Sequence, residues 1–369
     1  MTTTDRSRLG SRLQMARGWY WAFGVNGDPY AMLLCGQDDT PHHWYEQIRS
    51  ASDGLFRSRS GAWVVTRYDT AAQVLRGPGF TRAAGEAAAD WARPFLDVRS
   101  AAGLPLTAVD ELALEYREVL ARTGARFDLM RDLARETPVH GVTARLGLTG
   151  EDARRVAALL RSSATALDAR LTPQPLAVTE RTVAALADLR QQAGPEAVLA
   201  GAGCEAAANT VGNAVLATLR TPGLAGRLAE DPDLADRIVA ETLRTAPPVH
   251  LEVRHATAGQ TLEGTRIAEG DEVVVAVAAA HRDPRVFAEP DRFDPDRFDV
   301  DRALTPPPVT SNTDHPDGLE DFAARHAAAA LRALADVLPG TALTGPVVHL
   351  RRSPVLRGIS RCPVEIKDF

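Results

Sequence analysis

One ordered stretch that begins at residue 241 decides the fold of this 369-residue chain. It reads Glu241-Thr-Leu-Arg244, then Arg254, then His281-Arg-Asp-Pro284 and finally Phe293-Asp-Pro-Asp-Arg-Phe298. On a helix, Glu241 and Arg244 share one face because they are three residues apart. An isolated pair of this kind is usually a solvated surface contact of little energetic value. The elements that follow in fixed order give the pair its structural meaning.

These elements, in this order, resemble the conserved second half of bacterial cytochromes P450. The resemblance implies a buried network of Glu241, Arg244 and Arg297 that joins a helix to the loop after it and has a structural role. Removing one member of a buried charge network costs roughly 3–5 kcal/mol, because an uncompensated charge remains. We therefore expect a P450-like fold, mainly α with small β-sheets, formed by residues 1–369 as a single domain.

The segment in which the family carries its haem-binding cysteine differs in this chain. The family pattern is Phe-Gly-x-Gly-x-His-x-Cys-x-Gly, whereas the chain reads Thr305-Pro-Pro-Pro-Val-Thr-Ser-Asn-Thr-Asp-His-Pro-Asp-Gly318. The cysteine position falls at about Asp317 or Gly318, and no cysteine lies between Cys204 and Cys362. A P450 needs a thiolate on its iron to favour O–O cleavage. The sequence therefore predicts a shortened fold without the haem-thiolate loop, without a cofactor and without enzymatic activity.

Other side chains are weak candidates for a haem ligand. His315 lies in a loop rich in Pro and Asp, where a lone histidine is usually solvated, and His326 lies in the following helix. Cys362 lies in the last strand, where we expect it to pack in the core. His42 and His43 form a polar pair that we expect to be a solvated loop.

A long helix from about residue 195 to residue 219 is predicted to be buried, because it is apolar nearly all round. The family has Ala-Gly-x-(Glu/Asp)-Thr in this helix, and the matching stretch here is Ala202-Gly-Cys-Glu-Ala206. Gly203 and Glu205 remain, but Ala206 can neither donate nor accept a hydrogen bond from its side chain. Glu205 is either a remnant of the pocket or a carboxylate bound to neighbouring backbone.

Arg254 stands where the resemblance implies an arginine for the haem propionates, and it could equally be a structural or surface residue. With Gly203, Glu205 and Ala206 it forms the predicted vestigial pocket. The family's other contributor is a His-x-x-x-Arg run, and no such run lies between Phe80 and Arg122.

Composition excludes several classes of partner. A net charge of -6 argues against nucleic acid and anionic membrane surfaces as partners. Three widely spaced cysteines fit neither a metal site nor a disulfide framework, and they indicate a reducing cytoplasm. No stretch approaches the length of a membrane span. We expect a cytoplasmic protein with no metal site.

Local patterns predict further elements around this core. Residues 5–23 are expected to form a helix, Ala62–Thr66 a strand, and Asp69–Leu75 a second helix. Residues 83–108 are rich in Ala, Gly and Pro and show little periodicity, whereas Glu151–Leu171 reads as one helix.

Over essentially its whole length the chain resembles the P450-like auxiliary proteins that are encoded beside deoxysugar glycosyltransferases in actinomycete macrolide and anthracycline pathways. The segment Asp28-Pro-Tyr-Ala-Met-Leu-Leu-Cys-Gly36 and the absent cysteine loop are similar to those of the activator of the erythromycin desosaminyltransferase. The resemblance implies a non-catalytic protein that binds and activates or stabilises a TDP-deoxyaminosugar glycosyltransferase. It also implies a hetero-oligomer with that enzyme, with a heterotetramer as one stoichiometry.

The segment 1–30 contains the candidate docking residues Trp19, Tyr20, Trp21 and Phe23, since aromatic side chains are enriched at interface hot spots. The alternative is that they pack on the protein's own sheet, as the first helices of P450s do. Two other functions stay open: a small-molecule binding protein that holds a polyketide or sugar in the vacated pocket, and a P450 enzyme with unconventional haem ligation.

Overall fold

The computed structural model describes residues 3–36, 40–82, 89–99, 103–104, 106–195, 197–298 and 318–367. The helices of these ranges are α1 Thr3–Val25, α2 Pro29–Cys35, α3 His42–Ser52, α4 Tyr68–Arg76, α5 Val109–Leu120, α6 Glu136–Arg145, α7 Gly150–Ser163, α8 Ala166–Leu171, α9 Leu176–Ala193, α10 Ala197–Arg220, α11 Leu224–Glu230, α12 Leu234–Thr245, α13 Val277–Ala280 and α14 Leu319–Leu334. The strands are β1 Leu55–Arg57, β2 Trp63–Val65, β3 Phe80–Thr81, β4 Arg126–Asp128, β5 Leu251–Ala256, β6 Gln260–Leu262, β7 Thr265–Ile267, β8 Glu272–Ala276, β9 Thr341–Leu343, β10 Val348–His349, β11 Ile359–Arg361 and β12 Pro363–Ile366. The prediction of a mainly helical fold with small sheets is confirmed.

Helix α10 forms the centre of the fold. It is buried along nearly its whole length, as its apolar composition predicts. It packs most extensively on α14 and also contacts α7, α12 and the wide helical turn Leu129–Ala134. Small residues allow this close approach, since a methyl group added to Gly201 would lie 2.8 Å from the carbonyl oxygen of Leu160 on α7. The helix therefore positions any side chain at its middle inside the protein.

The largest sheet has five strands in the order β1-β2-β8-β5-β3. Strand β2 runs parallel to β8, with Val64 opposite Val274, and β5 runs antiparallel to β8 with Arg254 opposite Val273. Strands β5 and β8 are buried almost throughout. A smaller sheet in the order β4-β12-β9 joins the C-terminus to the segment before α6. The β5 register places the side chains near Arg254 inside the protein.

The segment Asp28–Gly36 owes its shape to the residues at its two ends. The Asp28 carboxylate caps α2 by accepting from the backbone N–H of Ala31 at 3.0 Å, and it also accepts from the Ser58 hydroxyl at 2.8 Å. Gly36 ends the helix at φ 59°, and a methyl group there would lie 2.6 Å from the Cα of Arg352. Both the conformation and the close approach require glycine.

The boundaries differ from the sequence expectations in one substantial place. Residues 151–171 form two helices rather than one, because the chain bends after Ser163 and α8 turns its Asp168 toward the C-terminal segment. Hydrophobic periodicity does not report a bend between two segments that are both helical.

Among the helices of the described ranges, none combines the length and apolar character that a membrane crossing requires.

Candidate functional site

Glu241, Arg244 and Arg297 meet in the interior, at the junction of α12 and the loop that follows α13. The Arg244 guanidinium donates two hydrogen bonds to the Glu241 carboxylate, at 2.8 Å and 2.7 Å. It also donates to the Pro290 carbonyl at 2.7 Å, while Glu241 accepts from the Asp294 backbone N–H at 3.0 Å. The Nε of Arg297 lies 3.5 Å from the same carboxylate. These contacts join the helix to the loop.

Gly203 lies against a leucine that approaches from the segment before α5. A methyl group added to Gly203 would lie 2.5 Å from Cδ1 of Leu104, so the leucine occupies the space that the glycine leaves. On its other side, Leu104 approaches Gly318, where an added methyl group would lie 3.8 Å from the Leu104 carbonyl oxygen. Gly318 immediately precedes α14 and is one of the two positions expected for the haem-binding cysteine. Leu104 therefore lies between α10 and the start of α14, with its side chain against Gly203 and its backbone close to Gly318.

Arg254 is paired with one carboxylate of the chain, while its Nη2 is buried with no hydrogen-bond partner among the described residues. It donates to Glu252 at 2.8 Å, and Glu252 also accepts a close hydrogen bond from Arg99. Arg82 lies 3.7 Å from Glu252, and Arg99 lies 3.4 Å from Glu320 at the start of α14. Although burial opposes ionisation, the neighbouring arginines hold the pKa of Glu252 well below its usual range. Glu252 is therefore ionised. Its negative charge lies beside Arg254, where a haem propionate would otherwise provide the negative charge.

The side chains that could ligate an iron are buried elsewhere in neutral form. Burial raises the pKa of Cys204 well above its usual range, and it raises the pKa of Cys362 to about 11. Both are packed in the core, as predicted for Cys362. His326 lies in α14 with its Nδ1 3.1 Å from the Tyr116 hydroxyl, and burial lowers its pKa to about 3. His315 lies outside the described residues.

These residues do not fit a haem between α10 and α14. A porphyrin would have to displace Leu104, and its propionates would meet the negative charge of Glu252 beside Arg254. The two described cysteines that precede and follow this region, Cys204 and Cys362, are buried in the core. Within the described ranges, no group of three or more His, Cys, Asp or Glu side chains could hold a metal ion.

Glu205 of α10 is bound by an arginine rather than by backbone. Arg135 donates to both oxygens of its carboxylate, at 2.9 Å and 2.8 Å, and also to the Ile359 carbonyl. Ala206, the next residue, is completely buried. The interpretation of Glu205 as a carboxylate tied to neighbouring backbone is therefore wrong, because a bidentate guanidinium pair satisfies both oxygens.

Glu205 and Arg135 also line a cavity of about 250 Å³ with Asp168 and Ser353. Asp168 is buried and accepts hydrogen bonds from the Ser353 hydroxyl and the Val355 backbone N–H, both at 2.8 Å. Burial raises its pKa to about 7, against the opposing effect of these hydrogen bonds. Of the four residues predicted to form the vestigial pocket, Glu205 is the one that lines this cavity.

The aromatic residues of α1 divide between the surface and the interior. Trp19 and Trp21 are 60% and 62% exposed, whereas Tyr20 packs on the core. Phe23 is partly buried, and its ring stacks on Trp19 with centroids 5.8 Å apart. Tyr20 is partly buried, and its accessible part lines the groove beside α1 together with Trp21. All four residues remain candidates, with Trp19 and Trp21 the most exposed.

The two exposed tryptophans lie on opposite flanks of the outer face of α1, because positions two apart on a helix are about 200° apart. Met15 and Trp19 share one flank with Phe23 at a spacing of four residues. Trp21 borders the other flank, beside a groove of about 390 Å³ that Arg17 and Arg352 also line. The outer face of this helix thus presents large apolar side chains on both sides.

The fold and this remodelled pocket together define the class of protein. The chain belongs to the cytochrome P450 family, and the sequence pattern of that family matches residues 201–316. It is similar to the cytochrome P450 family protein EryCII of Saccharopolyspora erythraea, with 50% identity over 99% of this chain and 100% of the relative. The protein AknT of Streptomyces galilaeus is 33% identical over 97% of this chain and 96% of its own length. Ligand-free CYP164A2 of Mycobacterium smegmatis has a similar structure, with a TM-score of 0.71 and 24% identity over 92% of this chain and 99% of its own.

Several residues of the site are not evident from sequence reasoning. The pairing of Glu252 with Arg254 could have been predicted, because Glu252 stands two residues before Arg254 and so lies on the same face of the strand. The position of Leu104 could not have been predicted, since the Ala-, Gly- and Pro-rich stretch that contains it shows little hydrophobic periodicity. Arg99, Arg135 and Asp168 reach their partners across long sequence separations.

Proposed function

We propose that this protein is a haem-free, non-catalytic auxiliary protein that binds and activates or stabilises a TDP-deoxyaminosugar glycosyltransferase of antibiotic biosynthesis, in the cytoplasm. The main support is the position between α10 and α14, where Leu104 takes the space and Glu252 pairs with the arginine that a haem would use. The partner rests on the resemblance to glycosyltransferase auxiliary proteins, which extends along the whole chain.

A protein without chemistry of its own can activate an enzyme by selecting one of its conformations. If the glycosyltransferase alone populates its ordered form only in part, a protein that binds this form better shifts the population toward it. The shift equals the difference in affinity for the two forms, and roughly 1.4 kcal/mol changes the ratio tenfold. A rigid helical fold suits this role, because it loses little conformational entropy on binding.

The candidate docking surface is the outer face of α1, with Trp19, Trp21 and the edge of Phe23. Large exposed apolar side chains on a soluble protein commonly mark a protein–protein contact, and tryptophan is enriched among the residues that contribute most to binding. The complex is a hetero-oligomer in this proposal, with a heterotetramer as one arrangement.

Glycosyl transfer by the glycosyltransferase encoded beside this protein tests the proposal. The enzyme is purified alone and mixed with increasing amounts of this protein, while product formation and complex size are measured. A large rate increase that saturates at fixed stoichiometry is expected, together with no Soret band from this protein. Absence of both complex and enhancement would refute the proposal. A Soret band in the pure protein would instead support the alternative of a P450 with unconventional haem ligation.

The polar cavity beside Glu205 favours a second candidate function. Its 250 Å³ and its buried Asp168 carboxyl would suit part of a small polar ligand such as a sugar. Thermal stabilisation of this protein by the aglycone or the sugar, without any glycosyltransferase present, would support this small-molecule binding role.

A further inference from the structure

A second cavity lies beside the C-terminal part of α10, and the charged side chains among its described lining residues are all positive. It measures about 240 Å³ and lies between the C-terminal ends of α10 and α12, the start of α3 and the C-terminal segment. Its charged and titratable lining consists of arginines and histidines: Arg220, Arg282, Arg357, His42, His250 and His349. No aspartate or glutamate is among the described residues that line it.

Two of the arginines, Arg220 and Arg282, are at most partly offset by carboxylates of the described residues. Arg282 has Asp291 at 3.3 Å, but that carboxylate is 86% exposed, so solvent weakens the pair. Arg282 also donates to the Thr245 carbonyl at 2.7 Å, at the end of α12. Within the part of the chain that the structure describes, Arg220 has no acidic side chain within ion-pair distance. Among the described residues, Arg220 and Arg282 therefore contribute positive charge to the cavity that is not fully offset.

The histidines respond to this positive charge. His42 begins α3 and lines the cavity, so its prediction as a solvated loop residue is wrong, although His43 beside it is exposed. Its Nδ1 is buried and has no hydrogen-bond partner among the described residues. Burial and then Arg282 and Arg357 lower the pKa of His42 to about 4, with Asp291 acting in the opposite direction.

His250 is in a similar state. Burial lowers its pKa well below the usual range, and Arg357, His42, Arg282 and His281 add to the effect. Its Nδ1 lies 3.4 Å from the Tyr45 hydroxyl. Both His42 and His250 are therefore neutral at pH 7, and each neutral imidazole can donate one hydrogen bond.

We propose that this cavity binds the phosphate groups of a small anion, either free phosphate or diphosphate or the diphosphate of a nucleotide. Guanidinium groups match phosphate oxygens with paired hydrogen bonds, and they are the preferred cations for this recognition. A single water needs about 10–15 Å³ of such a cavity, so 240 Å³ accommodates a diphosphate. The unpartnered His42 nitrogen supplies a further polar contact. This inference is independent of the proposed function.

The test is calorimetric titration of the intact protein with pyrophosphate, inorganic phosphate and thymidine diphosphate at low salt. Saturable binding at one site is expected, with affinity that falls as salt rises. Arg220→Gln should weaken pyrophosphate binding about tenfold, as expected for loss of one charge-assisted hydrogen bond, and His42→Asn should weaken it as well. Arg93→Gln is the matched control, because Arg93 is exposed and is not among the residues that line the cavity.

A second readout follows the His42 imidazole by NMR. Bound pyrophosphate should raise its pKa, because an anion offsets Arg282 and Arg357. Equal affinity for pyrophosphate and thymidine diphosphate would assign recognition to the phosphates alone, whereas tighter nucleotide binding would add contacts to the nucleoside. The proposal is refuted if none of the three anions binds saturably. It is also refuted if Arg220→Gln and His42→Asn bind pyrophosphate as Arg93→Gln does.

Discussion

Glu241→Gln is the substitution that tests the buried charge network most directly. Glutamine keeps the shape of the side chain and one carbonyl oxygen, but it removes the negative charge. In the structure the Glu241 carboxylate faces Arg244 at 2.7 Å and 2.8 Å and Arg297 at 3.5 Å, with both Glu241 and Arg244 inaccessible to solvent. The variant therefore leaves a buried guanidinium without its counter-ion.

The expected loss of stability is about 3–5 kcal/mol, the cost of breaking a buried ion pair by removing one partner. Glu289→Gln is the matched control. Glu289 pairs with Arg292 at the same spacing of three residues and at 3.1 Å, but their side chains are 71% and 62% exposed. Exposed pairs contribute at most about 1 kcal/mol. The two variants thus make the same chemical change at the same spacing and differ in burial.

Urea denaturation followed by circular dichroism measures both losses. The transition midpoint of Glu241→Gln should move to much lower urea with an unchanged slope, since the surface exposed on unfolding is the same. The Glu289→Gln midpoint should stay close to that of the wild type. Equal midpoints for the two variants would show that burial does not give Glu241 its structural role, and the reasoning would fail.

Three further predictions concern the filled pocket, the polar cavity and α1. Leu104→Ala should lower the free energy of unfolding, measured by urea denaturation, by about 2–5 kcal/mol, because it opens a cavity beside α10. A loss no larger than that of the exposed Leu114→Ala would contradict the packing of Leu104 against Gly203. Burial raises the pKa of Asp168 from its ordinary 3.8 to about 7, so the folded protein retains a proton that the unfolded chain releases. The stability of the wild type relative to Asp168→Asn should therefore fall as pH rises from about 4 through 7, and a melting-temperature difference that is constant over this range would argue against it. Replacing both Trp19 and Trp21 by alanine should weaken glycosyltransferase binding at least tenfold, about 1.4 kcal/mol, with little change in melting temperature. The control Leu114→Ala should bind the enzyme normally, and Leu114 is 59% exposed, much like the two tryptophans. Unchanged affinity of the double variant would show that α1 is not part of the interface.

Much of the fold is predictable from local patterns. The apolar run of α10 and the β-branched run of β2 depend on neighbours in sequence, and each appears close to its expected position. Helix α1 is likewise near its predicted range, at Thr3–Val25. The bend between α7 and α8 is the main exception, because a change of direction between two helical segments leaves no mark in the hydrophobic period.

The candidate site is less accessible to such reasoning. An absent cysteine is visible in the sequence, and so is an alanine where a threonine is expected at Ala206. The arginines that bind the buried carboxylates are not visible in the sequence, because Arg135 meets Glu205 and Arg99 meets Glu252 across long stretches of chain. No local rule predicts which of many arginines reaches a given carboxylate.

By itself, the sequence determined that this chain has the P450-like order of elements and has no cysteine between Cys204 and Cys362, since these are properties of residues and their spacing. Only the tertiary structure decided that Leu104 fills the space beside Gly203 and that Glu252 neutralises Arg254. It also turned Tyr20 inward while leaving Trp19 and Trp21 exposed. The physical reason is that packing and charge compensation are set by distances in space, which the order of residues along the chain leaves open.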